Sequence, residues 1–424
     1  MTSVNYLQVG RSLYKFVYDC RACGGSNLKE FISLGEQSLA NSYHDNTPDT
    51  GTIYDVPKYA KYPLKVNVCT DCYHTQLSIR VPPEVMFRHY LYESGTSQTM
   101  KDHFKQFAED AVITWQNNGQ VHPQTMPDVL SIGSNDGSEL DPFYEMGCST
   151  FGVDPAENLA TIAKVKGHYV ITDYWSEATA EKIHKLHIRS FDIIIAQNVF
   201  AHTHDILGFL LGCKAVMNDN TLLLIQTSQA NMYENGEFDT IYHEHLSFFS
   251  FNSMKTIVER AGLFITGFEM PTIHGTSFLF HIAKTGDPDA FPKGTYSLDT
   301  YINFGKKAHN TLHNLHETIK GYQANGRMKV VGAGCSAKGM TVLQAADIHP
   351  HYMIDESPLK VGLYTPGTNV KIRHFDYIAA DPDEIVFLMT AWNFADEIRA
   401  KIKKIRPNKN DIFLTYFPDI KITG

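Results

Sequence analysis

Val129-Leu130-Ser131-Ile132-Gly133-Ser134-Asn135-Asp136-Gly137 decides how the middle of this chain folds. An apolar run of strand length passes into a turn bracketed by glycines, and a helical stretch from Ser138 to Met146 comes next. Glycines at 133 and 137 let a ligand approach the backbone, and a helix N-terminus favours an anionic group. The next run, Thr150 to Val153, ends in Asp154. An acid at the end of a second strand can take a ribose diol. The spacing departs from the dinucleotide pattern G-x-G-x-x-G and suits S-adenosylmethionine better, with the turn on the amino-acid part and Asp154 on the ribose. The competing reading is a plain strand-to-helix turn beside a surface aspartate.

Outward from this turn, short apolar runs alternate with helical stretches between Met86 and Lys284, among them Phe191 to Ile195 and Thr221 to Ile225. That alternation predicts βαβ units on a parallel sheet. Asp287 to Gly294 is a turn-rich boundary. A long helix is expected over Leu298 to Gln323, ended by Asn325-Gly326. A second alternation comes after it, with strands at Met328–Val331, Tyr352–Ile354, Glu384–Leu388 and Asp411–Leu414. The class is therefore α/β, and 424 residues leave room for about three domains. The expected divisions are 1–85, 86–285 and 286–424. A net charge of −9 argues against a nucleic-acid or anionic-membrane surface, and no apolar run reaches transmembrane length. The first residues lack the apolar core of a signal peptide, so a reducing, cytoplasmic location is expected.

The first 85 residues carry Cys20-Arg21-Ala22-Cys23-Gly24 and Cys69-Thr70-Asp71-Cys72. Two such hooks supply four thiolates, a closed tetrahedral zinc site that holds the fold and does no chemistry. A redox pair is the alternative, and His44 or His74 could replace one cysteine. The other three of the seven cysteines, Cys148, Cys213 and Cys335, are scattered singly. Two further strings carry ionisable groups at expected strand ends: Gln197-Asn198-Val199-Phe200-Ala201-His202, and Phe238 to Tyr242-His243-Glu244-His245. Tyr242, Glu244 and His245 could supply base, acid and charge stabiliser for proton transfer. In a strand, His243 and His245 would face opposite sides, which disfavours a metal pair.

Taken together, these strings resemble the sugar C-methyltransferases that act on nucleotide-linked 4-keto-deoxysugars. The resemblance spans nearly the whole chain: the two cysteine hooks with Leu39-Ala40-Asn41 between them; Tyr90 to Ser97; the 132–137 turn with Gly152-Val153-Asp154-Pro155; the Asn198 and Tyr242 strings; Gly332-Ala333-Gly334 with Ala337-Lys338-Gly339; and Ile354 to Gly362. It implies an N-terminal zinc-binding domain, a central Rossmann-like S-adenosylmethionine domain and a C-terminal Rossmann-like domain for the nucleotide sugar. It assigns structural zinc to Cys20, Cys23, Cys69 and Cys72. The cofactor falls to Tyr90 or Tyr92, Gly133, Ser134, Asn135, Asp136, Gly137, Asp154, Asp173, Gln197 and Asn198. It makes His245 the base, with Tyr242, Glu244 and His202 beside it. His274, Ser336 and Lys338 would bind substrate, the last two at the diphosphate. The resemblance departs at Gln226, where an acid is more usual, and at His274 to Phe278, which leaves the sugar open. The expected partner is a small-molecule nucleotide sugar, with no nucleic acid or membrane, on a monomer or weak oligomer. An O-methyltransferase, an NAD(P)-dependent oxidoreductase or a zinc-ribbon binding module are the competing readings.

Overall fold

The computed structural model describes residues 7–9, 12–47, 59–87, 94–96, 98–119, 122, 124–186, 190–228, 230–271, 276–291, 296–326 and 328–424. Tyr90, Tyr92 and His274 lie outside the described residues.

The apolar runs of the middle segment form one seven-stranded sheet. Its strands are β1 (Asp128–Ile132), β2 (Ser149–Val153), β3 (Tyr169–Ile171), β4 (Phe191–Gln197), β5 (Met217–Thr227), β6 (Phe264–Glu269) and β7 (Phe278–Ala283), in the order 6-7-5-4-1-2-3. Strands β1 to β5 run parallel, and β7 is antiparallel to both its neighbours. Ile193 to Ala196 in β4 are wholly buried, as a strand covered on both faces must be. Because β1 lies between β2 and β4, the chain leaves it in opposite directions and opens a crevice at its carboxyl end.

The C-terminal segment repeats this plan. Strands β8 (Lys329–Ala333), β9 (Tyr352–Asp355), β10 (Ile372–His374), β11 (Ile385–Met389), β12 (Ile412–Thr415) and β13 (Lys421–Thr423) lie in the order 10-9-8-11-12-13. All are parallel except β13. Here β8 sits at the reversal point, so a second crevice opens beyond Ala333. The long helix runs from Leu298 to Asn325, with Ser297 capping its start and Gly326, in the left-handed region, ending it.

Two expectations need correction. The helix after the first turn is only Asp141–Glu145. Asp136 accepts bonds from the Ser138 amide (3.2 Å) and hydroxyl (2.8 Å), and Leu140 and Asp141 both donate to the Gly137 carbonyl. Such local side-chain bonds compete with helix and hold a turn instead. So short a helix, with Asp141 already in its first turn, provides no anion site for the cofactor. Nor do His243 and His245 sit in a strand. Phe238–Thr240 is a short 3-10 turn, and the His245 amide donates to the Tyr242 carbonyl at 2.9 Å. Ser247–Phe248 then pairs with Thr75 and Gln76. The N-terminal sheet of Leu28–Gln37, Tyr62–Cys69 and Thr75–Leu77 thus takes its fourth strand from the middle of the chain. One apolar core runs through Ile32, Val66, Phe238, Leu246, Tyr301 and Leu388.

Candidate functional site

The cysteine hooks meet. The four Sγ atoms of Cys20, Cys23, Cys69 and Cys72 all lie within 4.8 Å of one another, and two pairs stand 3.6 Å apart. Zinc–sulfur bonds of ~2.3 Å in a tetrahedron imply edges of about 3.8 Å, so the donor set fits zinc. Both hooks close alike: the Gly24 and Tyr73 amides each donate at 2.8 Å to the carbonyl of their first cysteine. The glycine relaxes the first hook at φ +81°; in the second, Tyr73 takes φ +58° and its carbonyl accepts the Tyr301 hydroxyl at 3.0 Å. Arg21, inside the first hook, donates to the Leu77 and Leu246 carbonyls at 3.2 and 3.0 Å and to His204 Nδ1 at 3.3 Å. The metal knuckle therefore braces the residue just after His245.

At the end of β1, Gly133 stands at φ +76°, and a Cβ there would come within 3.0 Å of Val199. The space above this turn exists only because the residue is glycine. Asp154 accepts the Asn135 amide at 2.9 Å and the Ala156 amide at 2.8 Å. Burial pushes its carboxyl up, and those two amides pull the other way. Gln197 takes His103 at 3.2 Å through its carbonyl oxygen. Among the described residues, Ser134 Oγ, Glu139 Oε1, Gln197 Nε2 and Asn198 Oδ1 are buried without a hydrogen-bond partner. A crevice walled by orphaned polar atoms beside a close-approach glycine fits the polar amino-acid and ribose ends of S-adenosylmethionine. Asp136 and Gly137 shape the turn from behind. Asp173 turns to the surface and pairs with Lys182, while its neighbours Tyr174 and Trp175 face the crevice.

The ionisable string lies beside this crevice. His245 Nδ1 donates to the Thr240 carbonyl at 2.6 Å, which fixes the proton on Nδ1 and leaves Nε2 an acceptor. The Tyr242 hydroxyl donates to that Nε2 at 3.0 Å. Burial, the neighbouring His202 ring and the positive charge of Lys338 all hold His245 well below the usual imidazole range, against the pull of the Thr240 carbonyl. His202 stacks on Phe87, its ring centroid 5.1 Å from that of His245, and burial holds it down to about 4. Two neutral imidazoles thus face one space. Glu244 is buried behind this wall, where Asn41 donates to it at 2.6 Å. His243 packs edge-on against Tyr62, away from the other three.

Across the space lies the turn after β8. Asp355 accepts the Cys335 amide at 2.6 Å and the Ser357 amide at 2.8 Å. Ser336 caps helix Ala337–Ala345, accepting the Gly339 amide at 3.1 Å and donating to the Thr390 carbonyl at 2.8 Å. Lys338 Nζ stands 3.8 Å from Glu237 and 5.0 Å from the centre of the Trp392 ring. Trp392 in turn donates at 2.6 Å to Asp239, whose carboxyl burial pushes up to about 6 against the pull of Lys338 and Trp392. A single cavity of about 850 Å³ joins the two crevices, with His202, Tyr242 and His245 on its wall between them.

Three family models tile the chain: a zinc binding domain over residues 20–87, a methyltransferase domain over 97–266 and a C-methyltransferase C-terminal domain over 291–418. C-methyltransferase NovU of Streptomyces niveus is 28% identical over 407 residues, covering 92% of this chain and 93% of that protein. This chain belongs to the C-methyltransferase family with an N-terminal zinc-binding domain. A ubiquinone biosynthesis O-methyltransferase of Rhodopseudomonas palustris strain BisB5 is 33% identical over 106 residues, only 24% of this chain and 40% of that one. Magnesium protoporphyrin IX methyltransferase of Synechocystis PCC 6803, solved with bound SAM, overlays at a TM-score of 0.33 with 15% identity, covering 46% of this chain and 88% of that one. The C-methyltransferase uses S-adenosylmethionine as methyl donor, and its four cysteines form a zinc site. Among the described residues, no helix is long and apolar enough to cross a membrane.

Several residues on the wall of this C-methyltransferase were not expected from its sequence: Asn41 and Arg80 from the N-terminal unit, Glu139, His204, Lys360 and Lys401. Asn41 lies in a string tied by resemblance to the zinc domain, yet it reaches the cavity. Lys360 is held by the Cys335 carbonyl at 2.8 Å, and Lys401 pairs with Glu356. Lys360 lies in the connection from β9 to β10 and Lys401 inside helix Ala395–Ile405, so no turn motif of the sequence could have flagged these two lysines together.

Proposed function

We propose that this C-methyltransferase methylates C3 of a nucleotide-diphosphate 4-keto-deoxysugar. The observation that carries the reading is the continuous cavity, which sets a neutral histidine between a cofactor crevice and a second nucleotide-type crevice. A carbon next to a ketone is acidic enough to lose a proton to a neutral imidazole. His245 Nε2 takes that proton while the C–H electron pair moves toward the 4-keto carbonyl. The Tyr242 hydroxyl, within hydrogen-bond reach of Nε2, can turn to the oxygen as it becomes negative. S-adenosylmethionine, when bound, supplies the methyl; the new C–C bond uses the carbon's pair, and the pair of the broken C–S bond stays on sulfur. His202 orients the sugar, and Glu244, held by Asn41, keeps the loop in place. Ser336 and Lys338, flanked by Lys360 and Lys401, form the diphosphate end. Zinc takes no part in the transfer.

The test is incubation with labelled S-adenosylmethionine and a panel of 4-keto nucleotide sugars deuterated at C3. Methylation should come with loss of the deuterium. His245→Ala should lower turnover ~10³-fold with cofactor affinity kept. Label arriving on oxygen, or an unimpaired alanine variant, would overturn the proposal.

A further inference from the structure

The segment Ser38 to His44 belongs to the N-terminal unit by chain order, yet both its ends are tied to the C-terminal one. The Ser38 amide donates to the Gln344 side-chain carbonyl at 2.8 Å, and Gln344 Nε2 donates back to the Ser38 carbonyl at 3.2 Å. Gln344 stands near the end of helix Ala337–Ala345, the helix that Ser336 caps and that carries Lys338. At the other end of the segment, His44 and Tyr364 exchange backbone bonds at 3.2 and 2.7 Å. Between these ties two side chains reach inward. Asn41 donates to Glu244 at 2.6 Å, and the Tyr43 hydroxyl donates to the Cys335 carbonyl at 2.7 Å.

That carbonyl has a second partner. Lys360 Nζ donates to it at 2.8 Å and stands 5.4 Å from the centre of the Tyr43 ring. A carbonyl oxygen has two lone pairs, so both bonds are made at once. Tyr43 thus meets Lys360 twice, through the shared acceptor and through its ring face. Cys335 is buried, and Lys360 lines the cavity. A lysine is a compact charge on a flexible stem with three N–H donors. One is spent on the Cys335 carbonyl, and two are left for the oxygens of a ligand. Burial, with the charges of Cys335, Asp355 and Glu244 around it, holds the Tyr43 hydroxyl well above the usual phenol range, so it stays a donor.

We propose that Tyr43 is a positioning residue for the diphosphate end of the cavity: by holding the Cys335 carbonyl and covering the Lys360 ammonium, it fixes where that lysine meets the nucleotide. This rests on the reading of the substrate as a nucleotide diphosphate and is independent of the sugar and of the carbon methylated. It gives the N-terminal unit a part in substrate binding that its cysteines do not have.

The test is a double-mutant cycle, read by titrating the full chain with dTDP, GDP and CDP and followed on whichever binds tightest. Tyr43→Phe keeps the ring and removes the donor. It should weaken that nucleotide ~3- to 10-fold and leave S-adenosylhomocysteine affinity unchanged. In a Lys360→Gln background the same change should cost less than ~2-fold, whereas in a Lys338→Gln background it should keep its full effect. A residue that only supports the fold would add its loss equally in both backgrounds. That result overturns the inference, as does parallel loss of S-adenosylhomocysteine. If no nucleoside diphosphate binds the wild type, or Lys360→Gln binds them as the wild type does, the diphosphate reading falls and the inference with it. If Lys360→Gln weakens them and Tyr43→Phe does not, only the inference falls. Should Tyr43→Phe not fold, fluorotyrosine built in at position 43 keeps both ring and hydroxyl. At saturating nucleotide its fluorine resonance should move in the otherwise wild-type chain and stay in place with Lys360→Gln; movement in neither or in both overturns the inference.

Discussion

The turn after β1 and the turn after β8 are closed by the same three bonds. Gly133 and Gly334 each donate an amide to the carbonyl of the residue just before the acid, Val153 at 2.8 Å and Ile354 at 2.9 Å. Asp154 and Asp355 then each accept one amide from the turn and one from two residues further along, at 2.9 and 2.8 Å in the first and 2.6 and 2.8 Å in the second. Beyond this lock the two segments diverge. The first turn runs into Glu139 and a five-residue helix with no side-chain cap. The second runs into Lys338 and a nine-residue helix capped by Ser336. Behind the same lock the residues that follow differ in charge: the acid Glu139 after the first turn and the base Lys338 after the second, both on the cavity wall.

The hardest way to break this comparison is to remove each acid in turn. Asp154→Ala leaves the Asn135 amide of the cofactor turn and the Ala156 amide unpaired and should weaken S-adenosylhomocysteine ~100-fold, with nucleoside diphosphates (dTDP, GDP and CDP tried in parallel) unaffected. Asp355→Ala should do the reverse. If either variant weakens both ligands alike in binding titrations, the two turns are not independent sites. Next in size is Lys338→Gln, expected to raise KM for the nucleotide sugar ~10-fold with S-adenosylmethionine affinity unchanged. Because Lys338 also depresses His245, the acid limb of the pH–rate profile should move up in this variant, which a phosphate contact alone would not do. An unmoved limb would leave Lys338 a simple anion contact.

Much of the fold was legible in the sequence, and the parts that were not share a cause. Strands, hooks and the Leu298–Asn325 helix are written in local periodicity and turn chemistry, so 129–137 and 20–24 could be read directly. Ser247–Phe248 joining the N-terminal sheet, or Asn41 reaching the cavity, depends on partners far along the chain that no local pattern announces. Asp173 shows the same limit: nothing in its own string announces Lys182, on the next helix, as the partner it pairs with. Glu139 was invisible because an acid in a turn is ordinary; only its burial beside Ser131 sets it apart.

The smallest effect is the most discriminating for the second turn. Ser336 was expected at the diphosphate, yet its hydroxyl already accepts the Gly339 amide and donates to the Thr390 carbonyl. Ser336→Ala should cost about 1 kcal/mol in a denaturant titration, the ordinary loss of an N-cap. If capping is its whole role, nucleoside diphosphate affinity should change less than ~2-fold, since the backbone amides of the helix start remain. A loss of ~10-fold or more at the same stability cost would mean that the hydroxyl leaves Thr390 to meet the phosphate. The second turn would then rearrange on binding, whereas Asp154 and Asn135 would hold the first one fixed.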